Sequence, residues 1–196
     1  MTSSKNKTDI SFKKWSLKVM RDFMIIIGFI LIIKIFLFDF GFVDGESMEP
    51  TLHDGDLLLI KKWDINFKIK DKSKGLKFYD EVVLKDVVFE SKKQPIDIVK
   101  RVIGLPGDHI EIRNGLVYRN HKLIEEPSIK EKAMQVNQTF DIKEGQIFVM
   151  GDNRNNSTDS RHIGPQSINK VSGIVIEHFQ AKVLAGLKNK IEAHFN

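Results

Sequence analysis

The sequence predicts a mainly β protein built from two antiparallel sheets that form a partly closed barrel, preceded by one N-terminal transmembrane helix. Three observations lead to this prediction. Past residue 40 the chain consists of short apolar runs of strand length, separated by turn signals. Asn114-Gly115 joins two of these runs, and it is a hairpin signal because both central residues of a type I′ turn need a positive φ. A single apolar run of sixteen residues precedes all of them.

The first element is a basic leader followed by an apolar segment. Residues 1–22 carry six basic side chains against Asp9 and Asp22, and the apolar segment from Phe23 to Phe38 is interrupted only by Lys34. This length is close to the minimum of roughly 17 residues for a spanning helix. Because basic residues stay on the cytoplasmic side, we predict a cytoplasmic tail over 1–22, an anchor over 23–40 and a body outside the membrane.

A cleavable secretory signal also has a basic start and a short apolar centre. The residues that follow the apolar segment, Asp39 to Gly45, contain no small-x-small cleavage site. The pattern therefore favours a retained anchor.

The body, residues 41–196, is predicted to be one extracytoplasmic domain in which about 104–145 form a cap-like insertion. Its apolar runs end at turn signals such as Asp54-Gly55 and Glu144-Gly145. The predicted strands are Leu57–Ile60, Glu81–Leu84, Asp86–Phe89, Ile96–Ile103, Ile110–Ile112, Leu116–Tyr118, Gln146–Met150 and Val171–Ile176.

Composition excludes several classes of function. The net charge is +5, but the leader alone carries +4, so the body lacks the basic surface of a nucleic-acid-binding protein. The chain has no cysteine, which excludes disulfides, a thiol nucleophile and cysteine-ligated metals. The six histidines are widely scattered, which argues against a sequence-local metal site, and no cofactor is predicted.

Ser47 is a candidate nucleophile. It lies in Gly45-Glu-Ser-Met-Glu-Pro-Thr-Leu52, nine residues beyond the apolar segment, which places it near the membrane surface. A serine before a proline turn is more often a turn or cap former. A nucleophilic role needs a base elsewhere in the chain.

Lys100 is the candidate base. The two-residue period of a strand puts it on the same face as Ile96, Ile98 and Val102. A lysine on an apolar face loses water, which lowers its pKa toward the range where the neutral amine accepts a proton. The alternative is a lysine at a sheet edge, where its charge discourages aggregation.

A third candidate segment, Gly151–Arg161, is rich in short polar side chains and follows the apolar run Ile147–Met150. Asp and Asn are turn formers, and Asp159 with Arg161 would make a local ion pair. In a functional interpretation, Ser157 holds the lysine amine and the carboxylates brace neighbouring strands.

These three segments together resemble the signature boxes of bacterial type I signal peptidases (peptidase family S26), in the Gram-positive-like form. The boxes are G-x-S-M-x-P-T-L, K-R-V-I-G-L-P-G-D and G-D-N-R-x-x-S-x-D-S-R, and their order and spacing agree with this chain. The resemblance runs from the anchor through about Gly164. It implies the mainly β, two-sheet fold that this family shares with self-cleaving SOS repressors.

The resemblance implies a Ser-Lys dyad. Ser47 attacks the scissile carbonyl, Lys100 takes the serine proton as a neutral amine, and Ser157 orients Lys100. The oxyanion region uses the Ser47 backbone N–H and, in some members, a hydroxyl at the position of Gly45. A glycine there leaves the second donor to the backbone or to water.

Supporting roles follow from the same resemblance. Asp159 is expected to pair with Arg161 or Arg101, and the loop is shaped by Gly151, Asp152 and Asn153. The chain departs from the family pattern at Tyr79-Asp80, where members usually carry Gly-Asp. This departure concerns the local turn geometry and touches no catalytic group.

The implied function is removal of signal peptides from exported preproteins with small residues at the −1 and −3 positions. Exported preproteins, membrane lipids and the Sec export machinery are the implied partners, with no role for nucleic acid. Two alternatives stay open. One is a Ser-His-Asp arrangement of Ser47 with His53, His109 or His162, and the other is a non-catalytic anchored protein on the same fold.

Overall fold

A computed structural model of the chain describes residues 3–62, 75–88, 94–131 and 137–186, with helix side chains described for 15–32. The predicted strand end at Phe89 lies outside these residues. The chain divides into two compact units, Met1–Phe38 and Asp39–Asn196.

The first unit is a single helix, α1 (Ser3–Phe36). Within the described part of the chain, no helix combines the length and the apolar character needed to cross a membrane. The helix ends at Phe36 and strand β1 (Phe38–Phe42) follows, so residues 23–40, the predicted anchor, include the end of the helix and the start of a strand. Asp39 and Gly41 alternate with phenylalanines there, and this two-residue period favours a strand over a helix.

The second unit contains two antiparallel sheets, as predicted. The larger has the strand order β1-β2-β11-β3-β4-β9-β10 and the smaller β7-β6-β5-β8. The larger sheet comprises β1, β2 (Leu57–Lys61), β3 (Glu81–Val87), β4 (Ile96–Gly104), β9 (Gln146–Met150), β10 (Gln166–Ser167) and β11 (Val171–Phe179). The smaller comprises β5 (His109–Arg113), β6 (Leu116–Arg119), β7 (Lys122–Leu123) and β8 (Gln138–Asp141).

The predicted partial barrel closure is not found. Over the described residues each sheet begins and ends on a different strand, so both are open. The chain adds a short helix, α2 (Ser160–Ile163), and a 3₁₀ turn over Ile168–Lys170.

The strand predictions are confirmed where the apolar runs are long. Two predicted runs merge into β3, which is irregular between Leu84 and Val87, where Asp86 has a φ of 53°. The hairpin at Asn114-Gly115 is confirmed, since both residues have positive φ. Strand β1 was missed because its first residues were assigned to the anchor. Strands β7, β8 and β10 were missed because they are short or lack an apolar run.

Among the described residues of the body, three apolar clusters form the core, and β4 contributes to all of them. Val102 lies in a cluster with Val82 and Leu84 of β3. The next residue, Ile103, lies in the cluster under the smaller sheet, and Val99 packs on a third cluster that includes Met48 and Leu52. From residue 100 onward β4 is therefore buried on both faces.

Candidate active site

The segment that carries Ser47 is held by buried apolar side chains on its C-terminal side. Met48 and Leu52 are fully buried, and the Leu52 N–H donates to the Met48 carbonyl at 3.0 Å. On the other side, Gly45 has a φ of 92° and its N–H donates to Asp54 Oδ1 at 2.8 Å. Ser47 is half-buried between these two attachments.

Lys100 meets Ser47 from the middle of the larger sheet. It pairs with Val82 of β3, and only 3% of its surface is exposed. Its Nζ lies 2.6 Å from Ser47 Oγ and donates to the Val99 carbonyl at 2.9 Å. Strand pairing and burial on both faces therefore fix the amine beside the serine hydroxyl.

The surroundings lower the pKa of Lys100 from 10.5 to about 8. Burial is the largest cause, because it removes water from the charged form. The carboxylates of Asp159 and Asp152 act in the opposite direction, while the Arg161 guanidinium adds to the lowering. A fraction of the amine is therefore neutral near pH 8, and a neutral amine can accept a proton.

Asp159 accepts several of the hydrogen bonds within the third signature box, Gly151–Arg161, hereafter called the third box. It accepts from Ser157 Oγ at 2.8 Å, from the Gly151 N–H at 2.9 Å and from Arg161 Nε and Nη2 at 2.8 Å each. Burial acts to raise the pKa of Asp159, but the hydrogen bonds and charge of Arg161 hold it below its usual value. Asp159 also caps α2.

The predicted orientation of Lys100 by Ser157 stays a prediction. Among the described residues the Lys100 amine makes two hydrogen bonds, to Ser47 and to the Val99 carbonyl. The Ser157 hydroxyl instead donates to Asp159. Ser157 is nevertheless close to the nucleophile segment, because a Cβ placed on Gly151 would collide with both Ser157 Oγ and the Ser47 carbonyl.

The third box is also bonded directly to the nucleophile segment. The Asn153 N–H donates to the Ser47 carbonyl at 3.1 Å, and Asn153 Nδ2 donates to the Glu46 carbonyl at 3.1 Å. These bonds position the main chain on both sides of the Ser47 N–H.

Arg101 and Asp152 form a buried ion pair beside the dyad. Arg101 donates to Asp152 through Nε at 2.8 Å and Nη2 at 2.7 Å. The Nη2 group also reaches Glu81 at 2.9 Å, and Thr51 Oγ1 donates to Asp152 at 2.5 Å. Of the two partners expected for Asp159, Arg161 is the one it pairs with, since Arg101 is bound to Asp152 and Glu81.

Tyr79 stands where members of the family usually carry glycine, and it has a φ of 76°. This is the left-handed region that glycine adopts without cost. The Tyr79 carbonyl accepts from Arg101 Nη1 at 2.9 Å and its hydroxyl donates to the Glu125 carbonyl at 2.5 Å. Burial raises the pKa of Tyr79 to about 12. The phenol therefore stays protonated and can donate its hydrogen bond to the Glu125 carbonyl.

Sequence reasoning missed several supporting residues. Thr51 and Glu81 complete the Arg101 pair, and Arg154 is 2% exposed and bonded to both oxygens of Glu126. Arg154 follows the apolar run Ile147–Met150 closely, which was a signal that its charge could be buried. A buried arginine needs a carboxylate nearby, because an unpaired buried charge is costly. Its partner lies 28 residues earlier in the chain, beyond any local pattern.

The alternative histidine arrangement finds no geometric support. His53 lies beside Asp56, His109 bonds Asp141 and His162 takes part in the cap of α2. In the part of the chain that the structure describes, Ser47 Oγ has Lys100 as its side-chain partner and no hydrogen bond to these three histidines.

Comparison with known proteins adds an independent line of evidence. The family described as signal peptidase, peptidase S26, matches residues 16–179. Signal peptidase I of Bacillus caldolyticus is 37% identical over 157 residues, which cover 73% of this chain and 80% of that protein. Signal peptidase I U of Bacillus subtilis (strain 168) is 34% identical over 170 residues, covering 80% of this chain and 83% of that protein.

A solved structure is also similar. The crystal structure of a signal peptidase I from Enterococcus faecalis V583 matches with a TM-score of 0.42 and 28% sequence identity. The match covers 51% of this chain and 96% of that chain.

The mainly β fold, the site, the family match and the similarity to the two Bacillus enzymes together define a hydrolase of the peptidase class. More narrowly, the chain belongs to the signal peptidase family, peptidase S26, and is an enzyme of the signal peptidase I type. The family's reaction is the removal of signal peptides, so the non-catalytic alternative is set aside.

Proposed function

We propose that the chain is a membrane-bound serine endopeptidase that removes N-terminal signal peptides from exported preproteins with a Ser47–Lys100 dyad. The observation that carries the proposal is the distance of 2.6 Å between Lys100 Nζ and Ser47 Oγ. Burial of this lysine and its pKa of about 8 support the role of a base, because a fully charged ammonium cannot accept a proton.

In the first half of the reaction, neutral Lys100 accepts the hydroxyl proton as Ser47 Oγ attacks the scissile carbonyl carbon. The resulting ammonium then gives that proton to the leaving amine of the mature protein, and the signal peptide stays bound to Ser47 as an ester. In the second half, Lys100 takes a proton from a water molecule that attacks the ester carbon. The ammonium then returns this proton to Ser47 Oγ as the ester bond breaks, and the signal peptide leaves with a free carboxyl group. The Val99 carbonyl, 2.9 Å from Nζ, holds the amine in line throughout.

The oxyanion is proposed to bind the Ser47 N–H. Among the described residues no acceptor is bonded to this group, and the Asn153 bonds fix the neighbouring main chain. Gly45 has no side chain to add a donor, so a second hydrogen bond comes from the backbone or water. Donors fixed in advance in this way stabilise the charge that develops in the transition state.

The membrane anchor is proposed to lie over residues 23–40, with residues 1–22 in the cytoplasm and the body outside. Support comes from the basic leader, whose charge favours retention on the cytoplasmic side. Membrane lipids and the Sec export machinery would then be its surroundings. A protease added outside intact cells should digest the body and leave an N-terminal fragment protected, and protection of the body would contradict the orientation.

Substrates are proposed to carry small side chains at the −1 and −3 positions, as the family resemblance implies. A preprotein with an Ala-x-Ala site should be cleaved after the second alanine. Replacing the −1 alanine by phenylalanine should abolish cleavage at that bond, and equal cleavage of both preproteins would contradict the proposed specificity.

The dyad is tested with the full chain in detergent. Cleavage of the Ala-x-Ala preprotein is compared for the parent, Ser47→Ala, Lys100→Ala and Lys143→Ala, an exposed lysine that serves as the control. We expect the first two variants to lose activity by about 10³-fold or more and the control to keep it. Circular dichroism confirms folding of each variant, and a folded Lys100→Ala enzyme with parental activity would rule out the lysine base.

A further inference from the structure

A cluster of metal-ligating side chains lies on the smaller sheet, outside the Ser47 site. Its members are His109, Glu111 and His121, whose donor atoms all lie within 4.8 Å of one another. His109 and Glu111 are two residues apart on β5 and therefore project from the same face of the strand. The residues between and after them, Ile110 and Ile112, are buried in the core, so the cluster occupies the opposite face.

His121 reaches the cluster through a tight turn. Asn120 and His121 connect β6 to β7 with φ values of 52° and 65°. The turn is bonded to the start of β5 at two points, since the Asn120 N–H donates to the His109 carbonyl at 2.8 Å and the His109 N–H donates to Asn120 Oδ1 at 2.9 Å. The backbone thus fixes His121 above β5.

The separations between donor atoms suit a single small divalent ion. His121 Nδ1 lies 2.6 Å from Glu111 Oε1, and His109 Nε2 lies 3.7 Å from the same oxygen. Bonds of about 2.0–2.1 Å in a tetrahedral zinc site place ligand atoms roughly 3.4 Å apart. These two distances to Glu111 Oε1 differ from that value by less than about 1 Å. The His121 side chain is 77% exposed and can adjust its position by rotation.

A carboxylate behind the cluster, that of Asp141, orients the His109 imidazole. Asp141 of β8 pairs with His109 in the sheet, and its Oδ1 lies 2.6 Å from His109 Nδ1. When Nδ1–H donates to this carboxylate, the lone pair of Nε2 faces Glu111. A carboxylate behind a histidine in this manner is the arrangement that fixes the tautomer of metal-bound histidines.

The nearest competing cation is Arg113, whose Nε lies 3.4 Å from Glu111 Oε2. Its guanidinium is stacked over the Tyr118 ring at 4.1 Å. It therefore approaches the Glu111 oxygen that the histidines do not use. An ordinary hydrogen bond between His121 and Glu111 would account for that pair, but it does not explain why His109 is oriented by Asp141 toward the same carboxylate.

We propose that His109 Nε2, Glu111 and His121 Nδ1 bind one divalent transition-metal ion of the zinc type, with Asp141 positioning His109. Two imidazoles and a carboxylate are the ligand set that zinc accepts with a water in the fourth position. The ion joins β5 to the β6–β7 turn, and its role is to stabilise the smaller sheet. The site is separate from the Ser47 dyad and independent of the proposed peptidase mechanism.

The test uses the full chain in detergent, without a histidine tag, after removal of metals by a chelator. Zinc is titrated by calorimetry, and cobalt is followed by its visible absorption. We expect one ion per chain and a higher melting temperature on binding. His121→Ala and Glu111→Gln should abolish both effects, while His178→Ala, which changes a histidine on β11, should leave them intact.

A further variant tests the contact between Asp141 and His109. Asp141→Asn should weaken zinc binding by about 10- to 100-fold without changing the stoichiometry. Absence of zinc binding at micromolar concentrations, equal binding by the parent and His121→Ala, or unchanged affinity in Asp141→Asn would each overturn the proposal.

Discussion

At the scale of single residues, the properties of Lys100 depend on what surrounds it. Its Nζ is placed between Ser47 Oγ and the Val99 carbonyl, and burial lowers its pKa to about 8. The carboxylate of Asp159 limits this lowering, since a nearby negative charge favours the ammonium. The balance leaves an amine that is charged in acid and available as a base in mild alkali.

The rate of cleavage should therefore follow the deprotonation of Lys100. With a pKa of about 8, the neutral fraction rises from about a tenth at pH 7 to about nine tenths at pH 9. We expect kcat/KM for a preprotein to rise roughly tenfold over this range and to fall tenfold per pH unit below it. The measurement is a pH–rate profile on enzyme checked for folding at each pH, and a flat profile between pH 6 and 9 would exclude Lys100 as the titrating base.

The same burial should make Lys100 costly for stability at neutral pH. A pKa lowered from 10.5 to about 8 corresponds to roughly 3 kcal/mol. In the interval between these values the unfolded chain holds a proton that the folded chain has lost, so the free energy of unfolding rises with pH. We expect Lys100→Met to unfold at a higher temperature than the parent at pH 7.

The gain in Lys100→Met should shrink as the pH is raised from 8 toward 10.5, where the parent no longer carries a buried charge. Thermal unfolding at pH 7 and pH 10 measures it, with Lys143→Met as the control for loss of an exposed lysine. A melting temperature below that of the parent at pH 7 would mean that the bonds of Lys100 to Ser47 and Val99 outweigh its desolvation.

At the scale of elements, two segments distant in sequence meet at β4: the nucleophile segment, and β9 with the loop that follows it. The nucleophile segment packs through Met48 and Leu52 on the cluster that Val99 of β4 contacts. Strand β9 pairs with β4, with Met150 opposite Arg101. Gly151 follows β9 directly, and its N–H donates to Asp159. The absence of a side chain at Gly151 is what allows the third box to approach the Ser47 carbonyl.

Adding a methyl group at Gly151 should separate these elements. In Gly151→Ala the Cβ would collide with Ser157 Oγ and with the main-chain carbonyl of Ser47, and the main chain cannot yield cheaply. We expect kcat to fall by about 10²-fold or more, because displacements near 1 Å in an active site have that effect. Gly186→Ala, where a Cβ meets nothing within 4 Å, should behave as the parent, and parental kcat in Gly151→Ala would show that the contact does not position Ser47.

At the scale of the whole molecule, the chain consists of a helical unit and a β-rich unit. All the residues of the proposed dyad and its supports belong to the second unit, which has its own three apolar clusters. Among the described residues, the hydrogen-bond partners of Lys100 come from the second unit. The proposed contribution of the helix is to hold the enzyme on the membrane where its substrates emerge.

Removal of α1 should therefore affect two substrates differently. A chain that begins at residue 37 is expected to cleave a short soluble Ala-x-Ala peptide with a kcat/KM within about threefold of the parent. Cleavage of a preprotein in lipid vesicles should fall at least tenfold, because tethering enzyme and substrate to one surface raises their effective concentration. Equal losses on both substrates would indicate that α1 supports the fold or the site directly.

Most of the strands, and the segments proposed to carry the chemistry, could be predicted from the sequence alone. Ser47 and Lys100 were identifiable because they lie in long unbroken motifs, and a pattern of that kind is readable along the chain. The long strands and the Asn114-Gly115 turn were also predicted, since apolar period and turn chemistry are local properties. Short strands without an apolar run were missed for the same reason.

The tertiary structure alone decided which groups meet. It paired Arg101 with Asp152, joined Arg154 to Glu126, and left both sheets open over the described residues. The scattered histidines gave no metal signal along the chain, yet two of them meet Glu111 on the smaller sheet. Ion pairing and metal ligation depend on distances in space, and strand pairing brings together residues that no local pattern connects.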